Sequence, residues 1–183
     1  MRYEKIVLSD LAEICDMYEK YLNKGDYIKD EIRQTMESSD FIGIKAVDGD
    51  VLVGVCYGTK SLLMTYPHPE LEAEIKAAAG DKKLFTVDAM IVREEYRAHH
   101  ISEELLRQLV SRIRPLGYSL TFSEMWIYPD GDIPVAPLFE RLGKAAYLKR
   151  VDGFYSDLAE YGLECPLCGK NCTCAALLRL TEV

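Results

Sequence analysis

The chain of 183 residues is 49% apolar, which is enough for one domain with a sizeable core, with or without a small appendage. Its formal net charge of −8 argues against a nucleic-acid-binding surface, because neutralising phosphates requires clustered Lys and Arg. No apolar run is long enough to span a membrane and no signal peptide is evident, so we expect a cytoplasmic protein that binds neither nucleic acid nor membrane.

The first part of the chain predicts a strand, two helices and a hairpin. Residues 3–8 are typical of a short strand, and the helix that follows has apolar residues at every third or fourth position. Residues 26–38 indicate a second helix. Residues 41–57 are rich in β-formers on either side of Asp48-Gly49, a dipeptide that favours a hairpin turn because Gly accepts a positive φ.

The rest of the chain predicts helices that alternate with strands. Residues 61–83 indicate a Pro-containing loop and then a charged helix that ends at Gly80. Residues 84–92 are apolar except for Asp88 and a Thr, as in a strand buried on both faces at the centre of a sheet. The later elements are an amphipathic helix at 101–113, a strand at 118–128, a short helix at 134–143 and one or two strands at 145–155. This order predicts an α/β (α+β) fold.

The turn at residues 97–102 joins the central strand to the amphipathic helix. A strand that leads directly into a helix points unpaired backbone N–H groups at the space above the turn, and the helix dipole adds partial positive charge there. One hypothesis is a pyrophosphate site; the alternative is a plain turn with exposed imidazoles. The residues of the turn are Arg97, Ala98, His99, His100, Ile101 and Ser102.

The stretch that contains this turn, VDAMIVREEYRAHHISEELLRQLV, resembles the acetyl-CoA-binding segment of the GNAT acetyltransferase superfamily. In that segment a strand ending in Val precedes the motif Arg/Gln-x-x-Gly-x-Gly/Ala, which opens a long helix. Arg97 matches the first position, and His100 and Ser102 occupy the two small positions. PLFERLGK is similar to a later segment of the superfamily, and the resemblance covers about residues 1–155. It implies a mixed, strongly twisted central sheet flanked by helices.

The resemblance also implies an activity, the transfer of an acetyl group from acetyl-CoA to a primary amine of a small molecule or protein. Backbone near Ile91 and Val92 would grip the pantetheine arm and polarise the thioester, and residues 97–102 would bind the pyrophosphate. Asp88 and Glu124 are the candidate general bases, because partial burial in an apolar strand raises the pKa of a carboxylate. Each carboxylate could instead face solvent or pair with a Lys or Arg.

The proton donor to the leaving thiolate is less well defined. The position at which the superfamily often has a Tyr is Phe139, which has no hydroxyl. Tyr128, Tyr147 or Tyr155 could substitute, with Tyr128 as the first candidate. The missing hydroxyl leaves open an alternative function, a non-catalytic GNAT-fold module that binds acyl-CoA or a partner protein. The sequence is compatible with a homodimer, and it does not identify the amine acceptor.

The stretch CPLCGKNCTC places four cysteines within ten residues. Four thiolates this close can surround one tetrahedral Zn²⁺, and such a site would be structural because no coordination position stays open. An iron–sulfur cluster and a set of metal-free thiols are the alternatives. The candidate metal ligands are Cys165, Cys168, Cys172 and Cys174. We therefore divide the chain into an acetyltransferase-like domain at 1–158 and a Cys-rich tail at 159–183.

Overall fold

The computed structural model describes residues 1–97 and 99–183. Within them the chain forms seven strands and five α-helices. The strands are β1 (Arg2–Lys5), β2 (Phe41–Asp48), β3 (Val51–Thr59), β4 (Lys83–Val92), β5 (Tyr118–Ile127), β6 (Ala145–Val151) and β7 (Ala175–Glu182). The helices are α1 (Leu11–Tyr21), α2 (Ile28–Glu37), α3 (Pro69–Ala79), α4 (Ile101–Ile113) and α5 (Ala136–Leu142). Within the described ranges, no helix is both long and apolar enough to cross a bilayer.

All seven strands belong to one mixed sheet in the order β1-β2-β3-β4-β5-β7-β6. β4 and β5 run parallel, and the other neighbouring strands are antiparallel. The predicted α/β class and the predicted central position of the 84–92 strand are confirmed, since β4 is the fourth of the seven strands. Residues 159–183, set apart above as a tail, contribute β7, which pairs with β5 on one side and β6 on the other.

Two apolar cores lie on opposite faces of the sheet. The first contains the buried side chains of α1, α2 and α3, for example Ile14, Ile32 and Ile75. The second contains the apolar side of α4 with Phe139 of α5. Leu105 and Leu109 of α4 are fully buried there, in agreement with the predicted amphipathic pattern. The two cores hold β4 and β5 between them.

A β-bulge at Asp88 interrupts β4. Tyr57 of β3 pairs with Ala89 and Gly58 pairs with Val87, so Asp88 is the extra residue. The strand therefore changes faces: Val87 packs in the α4 core, whereas Ala89 packs in the core of α1–α3. Gly58 is required opposite the bulge, because a Cβ at this position would lie 1.7 Å from the carbonyl oxygen of Thr86.

β4 and β5 separate just beyond the bulge. Their last pair is Val87 with Ser123, although β4 continues to Val92 beside β3 and β5 continues to Ile127 beside β7. Beyond this pair β4 stays paired with β3 and β5 stays paired with β7, but β4 and β5 no longer pair with each other. A cleft therefore opens between them. The inner edges of both strands carry backbone groups without a strand partner, and these groups face the cleft.

Candidate functional site

The start of α4 forms one end of the site. The first intrahelical hydrogen bond of α4 runs from the amide of Glu104 to the carbonyl of His100, 3.1 Å apart. In the described part of the chain no side chain caps this helix, so the amides of residues 101–103 are available to an anion. A cleft of about 190 Å³ lies in front of them. The predicted residues Val92, Arg97, His100, Ile101 and Ser102 line it.

His100 takes a left-handed backbone conformation, which glycine adopts more readily than other residues. Its φ is 56°, and it is the non-glycine residue with positive φ in the described ranges. A side chain in this conformation costs about 1 kcal/mol. The imidazole is exposed and lies 3.4 Å from the carboxylate of Glu103, so it borders the cleft without filling the helix start.

Arg97 is fixed at the mouth of the cleft. Its Nε donates to the carbonyl of Val92 at 3.3 Å, and its guanidinium lies over the Tyr21 ring, 4.9 Å from the centroid. His99 bends the turn, because its Nδ1 is 2.7 Å from the carbonyl oxygen of Arg97. Ala98, also predicted here, lies outside the described residues.

Sequence reasoning missed a second guanidinium at this end of the site. Arg141 of α5 lines the same cleft and lies 3.5 Å from the carboxylate of Glu103. The available signal was its position in PLFERLGK, the second segment that carries the resemblance. Two arginines and an uncapped helix start make this the positive end of the site, and Glu103, which also lines the cleft and pairs with Arg141, offsets part of that charge.

Asp88 and Glu124 form the other end of the site. Each follows a member of the last β4–β5 pair. Asp88 lies near Tyr18 and Tyr57, and Glu124 is hydrogen-bonded to Tyr155, so both carboxylates face the core of α1–α3. The structure therefore brings the two predicted bases together at the point where the strands separate. Burial, followed by repulsion from Glu124 and Glu31, raises the pKa of Asp88 from its usual value to about 7. Such a carboxylate can take up and release a proton near neutral pH.

Glu124 is held more firmly than Asp88. Burial raises its pKa, while the hydrogen bonds from Thr65 and Tyr155 act in the opposite direction. The Thr65 amide donates to one carboxylate oxygen at 3.0 Å and the Thr65 hydroxyl donates to the other at 2.5 Å. Thr65 belongs to the loop before α3, so this loop is tied to the centre of the sheet.

Polar groups without partners surround the two carboxylates. Burial and the nearby charge of Asp88 raise the pKa values of Tyr18 and Tyr57. The hydroxyls of Tyr57 and Tyr66 and the Asn23 amide oxygen are buried without a hydrogen-bond partner in the described residues. Buried polar atoms are normally hydrogen-bonded, so these atoms are suited to contact a polar ligand.

Comparison with solved structures identifies this architecture, although no family model and no curated protein matches the sequence. NAA60 of Arabidopsis thaliana in complex with a bisubstrate analogue superposes with a TM-score of 0.71 at 16% identity, over 99% of this chain and 97% of that chain. Its complex with acetyl-CoA gives 0.69 at 16% identity, over 100% and 98%. The chain has the GNAT fold.

Two bacterial structures share the GNAT fold over the whole chain. The ribosomal-protein-S18-alanine N-acetyltransferase of Escherichia coli gives a TM-score of 0.66 at 11% identity, over 100% of this chain and 93% of that chain. The aminoglycoside 6'-N-acetyltransferase of Enterococcus faecium gives 0.66 at 12% identity, over 100% and 97%. The resemblance predicted from residues 87–110 is therefore confirmed at the level of the fold.

The candidate proton donors of this GNAT fold lie in different places. Phe139 is a core residue that is 2% exposed. Tyr128 follows β5 and begins a turn in which its amide donates to the carbonyl of Asp132 at 2.9 Å. Tyr147 donates to the surface carboxylate of Glu74 at 2.9 Å. Tyr155 is buried beside Glu124, so it is the hydroxyl of these three that the structure brings to the carboxylates.

The four predicted metal ligands meet in what we call the cysteine cluster, Cys165, Cys168, Cys172 and Cys174. Their Sγ atoms lie within 4.8 Å of one another. A Zn–S bond of about 2.3 Å places tetrahedral thiolates about 3.8 Å apart, so a small adjustment would accommodate zinc. The amides of Leu167 and Cys168 donate to the Cys165 sulfur at 3.4 and 3.3 Å, which holds this sulfur within the cluster. The residues present fit a zinc ion.

Proposed function

We propose that the protein is an acetyl-CoA-dependent N-acetyltransferase that acetylates a primary amine of a small molecule or protein. One observation carries the proposal: β4 and β5 separate after the pair Val87–Ser123, with Asp88 and Glu124 at the point of separation and the uncapped start of α4 beyond the end of β4. Solved structures with this fold include complexes with acetyl-CoA and with a bisubstrate analogue, which supports the same use of the cleft.

In this proposal the positive end binds the cofactor. The pyrophosphate accepts hydrogen bonds from the amides at 101–103 and pairs with Arg97. His99 and His100 border the site, and Ala98, the remaining predicted residue, lies outside the described residues. The pantetheine arm lies along the free edge of β4 at Ile91 and Val92. A backbone N–H of this edge polarises the thioester carbonyl, which needs a fixed donor rather than a particular side chain. The cleft then holds both substrates in reacting geometry.

The carboxylate end binds and deprotonates the amine. An ammonium group enters between Asp88 and Glu124, and Asp88 takes one proton because its raised pKa makes it a suitable base. The neutral amine attacks the thioester carbon, the C–S bond breaks, the nitrogen releases its second proton to solvent as the amide forms, and the thiolate gains a proton. Tyr128 stays our predicted donor for that last proton, and Tyr155 is the alternative that lies beside Glu124.

The alternative function is a GNAT-fold module that binds acyl-CoA or a partner protein without turnover. The buried phenyl ring of Phe139 is the observation that favours it. Calorimetry with CoA tests the cofactor site, and a thiol-release assay with a panel of amines tests turnover. Binding with thiol release supports the transferase. Binding without release from any amine supports the acyl-CoA-binding module, and no CoA binding removes the transferase and leaves only a module that binds a partner protein.

We also propose that the cysteine cluster holds one Zn²⁺ in a structural site. The four converging sulfurs and the reduced thiols expected for the chain support zinc over a disulfide. Elemental analysis of protein purified under reducing conditions tests the proposal. One zinc per chain is the expected result, iron would indicate a cluster, and no metal would favour free thiols. Cytoplasmic location and homodimerisation stay predictions from the sequence.

A further inference from the structure

Residues 152–174 form a long connection between two adjacent strands, β6 and β7. The segment contains one 3-10 turn, at Leu158–Tyr161, and is otherwise irregular. Irregular connections longer than roughly 12–15 residues are uncommon, and ordering the backbone costs about 1–2 kcal/mol per residue. A segment of this length needs contacts other than the sheet to hold it, and the cysteine cluster occupies its second half.

Phe154 and Tyr155, in the first half of the segment, pack with two aromatic residues outside it. We call the four residues the aromatic wall: Tyr66, Trp126, Phe154 and Tyr155. The rings of Trp126 and Tyr155 are 4.7 Å apart, and those of Phe154 and Tyr155 are 4.9 Å apart. Tyr66 stacks on Phe154 at 5.5 Å. The wall thus joins residues of the 152–174 segment to β5 and to the loop before α3.

The cysteine cluster touches the aromatic wall directly. The amide of Tyr155 donates to the carbonyl of Cys174 at 3.5 Å. Cys174 immediately precedes β7, whose Ala176 pairs with Trp126. Three of the four cysteines are buried in the same apolar core as the wall. A shift of the cluster would therefore move Tyr155 and Trp126 with it.

The aromatic wall in turn borders the two carboxylates. Tyr155 is hydrogen-bonded to Glu124, and Thr65, next to Tyr66, donates to the same carboxylate. The 152–174 segment also reaches the loop after α1, where the amide and carbonyl of Lys24 pair with those of Glu164 at 3.0 and 2.8 Å. This loop contains Asn23, whose buried amide oxygen is one of the polar atoms without a partner in the described chain.

The start of α4 has different neighbours. Its cleft is lined by residues of β4, α4, α5 and the turn between β4 and α4, without a residue of the 152–174 segment. The apolar side of α4 packs in the opposite core from the cysteine cluster. The two ends of the site are therefore supported by separate parts of the molecule.

We infer that Zn²⁺ bound by the cysteine cluster positions the aromatic wall, so that metal occupancy controls the acceptor end of the cleft and leaves the cofactor end unchanged. The assignment of this end to the amine acceptor rests on the proposed function, whereas the link between the metal and the aromatic wall is independent of it. On binding, the thiols release protons and their sulfurs coordinate the ion, which supplies no chemistry to the transfer itself.

Trp126 reports on the wall, because it is the one tryptophan in the sequence. Zinc is removed from the full chain by a chelator under reducing conditions and then restored, and each state is measured by Trp126 fluorescence, amide hydrogen exchange and calorimetry with CoA. We expect a red-shifted emission and at least about tenfold faster exchange in residues 152–174 of the apo protein. The affinity for CoA should change by less than about twofold. Restoring zinc should reverse every change.

Cobalt provides a second measurement in the same protein. Paramagnetic Co²⁺ at the cluster should quench Trp126 more strongly than Zn²⁺ does, because Trp126 lies next to the cluster. Cys168→Ser removes one ligand at the most exposed sulfur of the cluster, and Cys15→Ala is the matched control, since Cys15 is a free thiol in α1. The ligand variant should behave as the apo protein and the control as the holo protein.

Three results would overturn the inference: no bound metal, an emission and exchange pattern that does not respond to metal, or equal loss of CoA binding on metal removal. The last result would mean that zinc supports the whole fold rather than one end of the cleft. Failure of the holo protein to bind CoA is a separate outcome. It removes the proposed function, and the link between metal and aromatic wall is then tested by the response of Trp126 to metal.

Discussion

The two ends of the cleft carry opposite charge and are built in opposite ways. The α4 end is mainly one turn of consecutive residues, which supplies backbone amides and Arg97, and α5 adds Arg141. The carboxylate end gathers Asp88 and Glu124 with side chains from distant segments. Such a site can sort an anionic cofactor from a cationic amine by charge, even though the chain is acidic overall. The comparison predicts that each end can be damaged without the other.

The largest effect is expected for Asp88→Asn at the carboxylate end. Loss of the base should lower kcat/KM about 10²–10⁴-fold, measured with an amine that supports thiol release. The Kd for CoA should stay within about twofold, because Asp88 does not contact the α4 turn. Glu124→Gln is the comparison: it keeps the base and removes its repulsive neighbour, so its rate loss should be smaller. An Asp88→Asn enzyme of normal rate would exclude Asp88 as the base.

The raised pKa of Asp88 also predicts the pH dependence of stability. Between the usual pKa of an Asp and about 7, the unfolded chain loses the Asp88 proton while the folded chain keeps it. Asp88 therefore lowers the free energy of unfolding as pH rises through that range, and this loss of stability reaches its full size above about pH 7. Asp88→Asn should be more stable than the native chain at pH 8 and equal to it near pH 3, measured by denaturant unfolding. Equal stability at both pH values would contradict the raised pKa.

Gly58→Ala tests whether the bulge places Asp88. The added Cβ would collide with the carbonyl of Thr86, so we expect a loss of about 2–4 kcal/mol in the free energy of unfolding. Gly54→Ala in the same strand is the milder comparison, since its Cβ would lie 3.1 Å from the carbonyl oxygen of Ile91 and would need only a small shift. In protein that still folds, the turnover rate should fall more than CoA affinity. Equal stability of the two variants would argue against the close approach at Gly58.

Arg97→Gln acts at the other end. Loss of its charge should weaken CoA binding about tenfold in calorimetry, and the effect should shrink as salt is added. Arg114→Gln, just beyond the far end of α4, removes the same charge away from the cleft and should leave the Kd within about twofold. A rate loss without weaker binding would place Arg97 outside the cofactor site.

The smallest effect concerns the left-handed residue that opens α4. His100→Gly should be more stable than His100→Ala by about 1 kcal/mol, because both remove the imidazole and only alanine keeps a Cβ at positive φ. Thermal unfolding of the two variants measures the difference. If alanine proved equal or better, the conformation of this residue would have to differ from the one described.

The residues of the α4 end could be read from the sequence because they are contiguous. Strand, turn and helix follow each other directly, and the motif at Arg97 gave their order. Asp88 and Glu124 were also found, as carboxylates in apolar strands, but the bulge that places Asp88 depends on pairing with β3 and has no local signal. Arg141 was missed, and Tyr155 was named only as a possible proton donor without its aromatic neighbours, because the contacts of both join segments far apart in the chain.

β7 illustrates a different difficulty. Its sequence AALLRLTE is rich in Ala and Leu, which favour helices, and it lies next to cysteines that suggested a separate tail. Pairing with β5 and β6 on both sides overrides that preference. The propensity of the segment was therefore a poor guide to its place in the sheet.

The position of β7 has a consequence for how the protein is made. In the described part of the chain β6 is an edge strand that pairs with β7, which leaves the ribosome after it. Until β7 emerges, β5 keeps an unpaired edge and β6 has no strand to pair with. The nascent chain therefore exposes two strands whose edges can pair with other chains and aggregate. The order of synthesis thus runs against the order of assembly, and this half of the sheet is where a chaperone would have most to protect.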